Sequence, residues 1–337
     1  MKIAILSVSN NGEKLGESLK EMLENDSTIL AVNHFHKNIK NIIVDVFENY
    51  DGIIAIMASG IIIRSISPLI VSKTTDPAVI NIDDNGNFVI SLLSGHIGGA
   101  NKLTKKIASL LNATPVITTS TDVNKRLGID TLAKDLYLTI DNPKNILPVN
   151  KAILEGRKVT FRLNKTSDYT FLYDYIKNNT LEMDVLFDLN DDVSADEIEV
   201  IIDRNTLKLK RKKIAIGIGC RRGKSCEDIK KAVNNSLNDL NININRIDEI
   251  ASASIKKDEK GLLDLSENLN IPIKFIDIEI IKEYDFKGLS SSDFVKSKFG
   301  VGGVCEPSAL ISAGESSKLI YKKTVFNGVT IAIACEK

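Results

Sequence analysis

A chain of 337 residues with no Trp, three His and four Cys has little material for redox or metal chemistry. Cys220, Cys226, Cys305 and Cys335 form no CxxC pair and have no His nearby. That spacing excludes a zinc site and a disulfide-stapled secreted fold, and it points to a reducing cytoplasm. A net excess of charge of either sign is also missing, since 44 basic side chains stand against 44 acidic ones with no long run of one sign. A phosphate backbone therefore has no electrostatic footprint to meet, and nucleic acid is excluded as a partner. No apolar stretch approaches the roughly 20 residues of a membrane span; the longest, GIIAIMASGIII at 52–63, ends at Arg64. The opening MKIAILSVSN is too short in its apolar part for a signal peptide and reads as a first strand.

What is present is an alternation of strand and helix periods, the mark of open α/β sheets covered by helices. Strands are expected at KIAILSV, STILAV, DGIIAIMA, FVISLL and TPVITTS. Between the last two, at 99–111, a helix is expected to bury Leu103, Ile107, Leu110 and Leu111 and to turn Lys102, Lys105 and Lys106 to water. The pattern weakens near 137, where a helix NPKNILPVNKAILEGR, strands KVTFRLN and IEVIID and an acid-rich solvated loop LNDDVSADE read as a small α+β unit without a site. Alternation resumes at 211. The length predicts more than one core. The expectation is an N-terminal α/β domain over 1–136, a linking unit over 137–210 and a C-terminal α/β domain over 211–337.

Three segments carry candidate chemistry. GIGCRRGKSC follows a strand and precedes a helix with Ser225 as N-cap, and its glycines with Arg221 and Arg222 suit an anion. Its spacing matches neither GxGxxG nor a P-loop, and an ordinary turn with solvated arginines is the alternative. FGVGGVCEPSAL places Glu306 at a helix start, as a base or as a complement to the helix dipole; Cys305 reads as a small core residue. LSGHIGGAN sets His96 at a strand's carboxyl end, where α/β folds bind ligands and where an imidazole manages protons near neutral pH. His34 and His36 read as incidental residues of a polar linker.

Five stretches, MASGIIIRSISPLI, KTTDPAVINID, FVISLLSGHIGGAN, IGIGCRRG and GVGGVCEPSAL, resemble the CbiG family of cobalamin biosynthesis, the cobalt-precorrin 5A hydrolases, over 51–128 and 211–337. The resemblance implies hydrolysis of a δ-lactone in a cobalt-bearing tetrapyrrole polycarboxylate, with release of acetaldehyde and formation of cobalt-precorrin 5B. It implies no cofactor, because cobalt arrives within the substrate, and no protein metal ligand. Catalysis then falls to His96 and Glu306. Substrate contacts fall to Arg64, Ser94, Gly95, Gly98, Gly99, Gly219, Arg221, Arg222, Gly302, Gly303 and Ser308. Partners are the tetrapyrrole and, in passing, other enzymes of the pathway, with room for a homodimer and no membrane or nucleic acid. A non-catalytic corrinoid carrier and an enzyme of a phosphate-bearing ligand are the alternatives.

Overall fold

The computed structural model describes residues 1–124, 126–179, 184–283, 289 and 300–337. Three sheets organise them, and the chain gathers into two compact units: Met1–Ser167 with Leu172–Arg211, and Asp168–Phe171 with Lys212–Lys337. Sheets with helices between their strands bear out the α/β class.

In the first unit, strands β1 (Lys2–Ser7), β2 (Ala31–His36), β3 (Gly52–Ile56), β4 (Ala78–Ile82), β5 (Phe88–Leu93) and β6 (Thr114–Val116) lie in the order β2-β1-β3-β4-β5-β6. All pairs are parallel except β4 with β5, which the Asp83–Gly86 turn joins as an antiparallel hairpin. The central strands are apolar because helices cover both faces. Ile3, Ile5, Ile54 and Ile80 pack on one side with Leu19 and Leu103; Ala4, Leu6, Ile53 and Val79 pack on the other with Ile43 and Ile62.

Three local expectations change. The run after β3, where the sequence pattern places no helix, forms one over Ser59–Ile66. In the helix Ala100–Leu111 the buried stripe is Leu103, Thr104, Ile107 and Ala108, whereas Leu110 is exposed and Lys106 is drawn to Asp26. β2 starts at Ala31, later than STILAV suggested, so His34 and His36 belong to a strand and not to a linker. They meet at the fully buried Ser7, whose Oγ lies 2.8 Å from His34 Nε2 and 3.0 Å from His36 Nδ1, while His34 Nδ1 reaches Glu17 at 2.7 Å.

The same unit holds a second sheet in the order β7-β11-β10-β8-β9, from Leu138–Ile140, Asn205–Arg211, Glu197–Ile202, Val159–Leu163 and Val185–Leu189. The helix Ile146–Leu154 accompanies it, burying Ile146, Val149, Ala152 and Ile153. The acid-rich segment before β10 is a turn, as expected, although Val193 within it is buried.

The second unit is built on β14-β13-β12-β16-β15, with β12 (Ile214–Cys220), β13 (Glu249–Ala253) and β14 (Ile273–Ile276) parallel and the hairpin β15 (Ser317–Phe326) and β16 (Val329–Glu336) closing it antiparallel. Ser225 caps the helix Cys226–Leu240, accepting from the Asp228 N–H, as the sequence predicts. The helix Cys305–Ala313 presses on β12 so closely that a Cβ on Gly217 would sit 1.9 Å from the Cys305 carbonyl oxygen. Gly217 is thus a packing glycine; no ligand is needed to explain it.

Candidate active site

His96 lies on the turn from β5 into the helix Ala100–Leu111, at the carboxyl end of its own strand as expected, but because β5 runs antiparallel to β4 that end falls beside the start of β4 at Ala78, at the edge opposite the carboxyl ends of β1–β4. The turn is tight. Ser94 has φ +56°, Gly99 has φ +94°, and the Ser94 and Gly95 carbonyls accept the N–H groups of Ala100 and Asn101. Gly98 lies directly under Ser94, where a Cβ would come within 2.3 Å of the serine's own. The Ser94 hydroxyl is buried and has no hydrogen-bond partner among the described residues.

His96 is clamped between two carboxylates. Its Nδ1 lies 3.1 Å from Asp130 Oδ2 and its Nε2 lies 2.9 Å from Asp122 Oδ2, with Thr121 Oγ1 3.2 Å from the same nitrogen. Only the doubly protonated ring donates to both acids. Burial would depress the imidazole, but the hydrogen bonds and charges of Asp122 and Asp130 outweigh it and push it up to about 9. Asp122 in turn is held well below the usual carboxylate range, chiefly by His96, with help from Thr119 and Lys105. Burial raises Asp130, yet its contacts with His96 and Asn150 and the charge of Lys73 bring it below its ordinary value. At neutral pH the site is an imidazolium between two carboxylates.

A ring of amides and hydroxyls fixes this trio. Asn101 Nδ2 donates to Thr119 Oγ1 at 2.8 Å and to Asp122 Oδ2 at 2.9 Å, while its oxygen accepts from Ser91. Asn150, on the helix Ile146–Leu154, donates to Asp130 Oδ1 at 2.9 Å and accepts from the Ile129 N–H at 2.8 Å. Beside the trio opens a cavity of about 480 Å³, lined by Ser94, Gly95, His96, Thr119, Asp130, Lys73 and the helix residues Leu147, Asn150, Lys151 and Leu154. The middle segment, in which the sequence suggested no site, therefore supplies one wall.

Of the residues singled out in the sequence, Ser94, Gly95 and His96 come together at this cavity. Gly98 and Gly99 shape the turn behind it. Arg64 is exposed and folds back over Gly60, outside the cavity lining.

The remaining candidates belong to the second unit. There the GIGCRRG and GVGGVCEPS motifs meet, since a Cβ on Gly219 would lie 3.5 Å from Val304. Arg221 and Arg222 are exposed, and the Arg222 guanidinium lies 3.5 Å from the exposed Asp258. The N–H of Gly223 in that loop already donates to Glu259 at 2.7 Å. Gly302 and Gly303 form the half-buried turn before the helix Cys305–Ala313. Glu306 is buried in that helix's first turn and accepts the N–H of Lys323 at 2.9 Å. Ser308 is fully buried with its hydroxyl unpartnered among the described residues, and burial pushes the Cys305 thiol up to about 11. Among the described residues no group of three or more His, Cys, Asp or Glu is arranged to hold a metal ion, and no helix is long and apolar enough to cross a membrane.

Residues 41–122 match the family described as Cobalamin synthesis G N-terminal, and residues 214–334 match Cobalamin synthesis G C-terminus. A protein of Methanocaldococcus jannaschii named probable cobalt-precorrin-5A hydrolase is 34% identical over 100% of this chain and 99% of its own length. The chain belongs to the cobalamin synthesis G family. A second member, the cobalt-precorrin-5A hydrolase of Priestia megaterium, is 29% identical over 98% of this chain and 94% of its own. The crystal structure of a cobalamin biosynthesis protein G homolog from Sulfolobus solfataricus aligns over 100% of this chain and 97% of that one, with TM-score 0.62 and 30% identity. The resemblance read from five motifs thus extends over the whole chain, including the middle segment that showed no motif. In this member of the family, Asp122, Asp130, Asn101, Thr119, Asn150, Lys73 and Lys151 are the site residues that sequence reading missed. The one available signal was TTSTD, which follows β6 as SGH follows β5.

Proposed function

We propose that the protein hydrolyses cobalt-precorrin 5A, opening its δ-lactone and releasing acetaldehyde to leave cobalt-precorrin 5B. Agreement over 85–100% of this chain with relatives named cobalt-precorrin-5A hydrolase carries the reading. The cavity beside His96 supports it with suitable groups. Water adds to the lactone carbonyl and the ring C–O bond breaks, giving a carboxylate and a hydroxyl. The hydroxyl then loses its proton as the C–C bond to the macrocycle breaks, so that acetaldehyde forms and the electron pair passes to the macrocycle.

His96, charged at neutral pH, belongs on the acid side of this chemistry. An imidazolium in a cavity wall stabilises the oxyanion of the tetrahedral intermediate by its charge, and one of its N–H groups, released from its carboxylate, protonates the departing oxygen. Asp130, the carboxylate on the same wall, receives the proton of the attacking water. Arg221, Arg222 and the Gly302–Gly303 turn stay in the proposal as substrate contacts, and Glu306 as the second proton-handling candidate. Cobalt enters as part of the substrate, and no resident cofactor is proposed. A cytoplasmic setting fits four unpaired thiols; passing contact with a neighbouring pathway enzyme fits a reactive product.

The test is incubation with cobalt-precorrin 5A and assay of acetaldehyde. His96→Gln is expected to lower turnover by roughly 10²–10⁴, the contribution of a positioned acid, while Glu306→Gln keeps most of the rate. Tight binding without acetaldehyde would make the wild-type protein a carrier. An inactive Glu306→Gln beside an active His96→Gln would move the chemistry to the second unit.

A further inference from the structure

The cavity beside His96 has a floor of hydrogen-bonded polar groups and a rim of a different character, and the rim points to its ligand. Resting on the hydrolase reading above and deepening it, we propose that Leu147, Lys151 and Lys73 form a recognition subsite for a flat apolar ring carrying carboxylates on its edge. Leu147 projects from the helix Ile146–Leu154 with 74% of its surface exposed, on the opposite side from the buried Ile146, Val149 and Ile153. An exposed leucine alone is ordinary. This one lines the cavity together with Ile97 and Leu154, so part of the cavity wall is apolar.

Two cations flank that wall. Lys151 stands one turn beyond Leu147, and its pairing with Glu155, at 3.9 Å between well-exposed side chains, leaves the ammonium in water. Lys73 has no carboxylate within 4 Å among the described residues, although its charge is felt by Asp130. It is presented by a turn that Asp76 organises, the buried carboxylate accepting the N–H groups of Val71 and Ser72 at 3.1 Å. The acids of the wall are already matched, Asp130 by His96 and Asp122 by His96 and Lys105. The two lysines are therefore the charges left to meet an incoming anion, and they sit beside an apolar platform. A macrocycle laid on Leu147 with rim carboxylates toward Lys73 and Lys151 satisfies both. The helix is bolted in place by Asn150, so the platform is fixed relative to His96.

Uroporphyrin, a flat ring edged with carboxylates, and its fully methylated ester serve as probes, titrated by their own absorbance against the full chain at low and high salt. Wild-type protein is expected to bind the acid in a salt-sensitive way and the ester about tenfold more weakly or worse. Lys73→Ala with Lys151→Ala should weaken the acid by about tenfold or more and leave the ester unchanged; Leu147→Asp should weaken both. With cobalt-precorrin 5A the lysine pair should raise KM while kcat holds. All three side chains are exposed, so melting curves should coincide with wild type. Equal binding of acid and ester, or a lysine double variant that binds the acid as wild type does, overturns the subsite. If wild-type protein releases acetaldehyde and the variants keep its KM, the subsite fails and the hydrolase reading stands. If probe binding behaves as expected and no acetaldehyde forms, the hydrolase reading fails alone.

Discussion

Removing the charge between Asp122 and Asp130 should change how stability responds to pH. The folded protein holds His96 at about 9 against an ordinary 6.5. At about 1.4 kcal/mol for each tenfold change in proton affinity, that difference corresponds to roughly 3 kcal/mol of stabilisation. Because the folded value lies above the unfolded one, the contribution is complete below pH 6.5, shrinks as pH rises and is gone above about 9. The two carboxylates act at the other end. Their folded values are lowered, so what they contribute is present above the ordinary carboxylate range and is lost as pH falls through it. Urea unfolding of wild type and His96→Gln at about pH 6 and about pH 10 isolates the histidine. The gap between the two proteins should be larger by about 3 kcal/mol at the lower pH. Parallel curves with an equal gap at both pH values would refute a charged His96, and with it the assignment of this residue to the acid side.

Two further expectations concern the second unit. Gly217→Ala sets a methyl against the Cys305 carbonyl and the Ala309 N–H, backbone that has no room to yield, and should destabilise by about 3 kcal/mol or more in denaturant titration, a change below about 1 kcal/mol showing that the helix shifts freely. Replacing Arg221 and Arg222 together by Ala should leave the melting temperature unchanged and lower substrate affinity by about tenfold; unaltered affinity would return both to solvent.

The scaffold was legible where a period ran unbroken. β1, β3, β5 and the helix Cys226–Leu240 with its Ser225 cap lie where their patterns place them. Legibility failed where tertiary packing overrode local preference. Ile61, Ile62 and Ile63 are β-branched and read as anything but helix, yet burying Ile62 and Ile66 against the sheet makes the segment helical. In β11 the alternation of buried Leu207 and Leu209 with Lys208 and Lys210 is masked in the sequence by its charged neighbours. The site failed for a different reason. His96 announces itself by its glycines, but its partners stand 26 and 34 residues away, at separations that belong to no motif and that only the folded sheet closes. Ser7, His34 and His36 are joined in the same way, across two neighbouring strands.

Asn150 has a consequence for how this protein can be divided. The stretch that carries the family's N-terminal signature stops at 122, just as the second clamping acid and the platform helix are still to come. A gene fragment trimmed to that signature would encode His96 with one carboxylate and a cavity open on its far side. Any split, fusion or domain swap meant to preserve the pocket has to place its junction beyond Leu154.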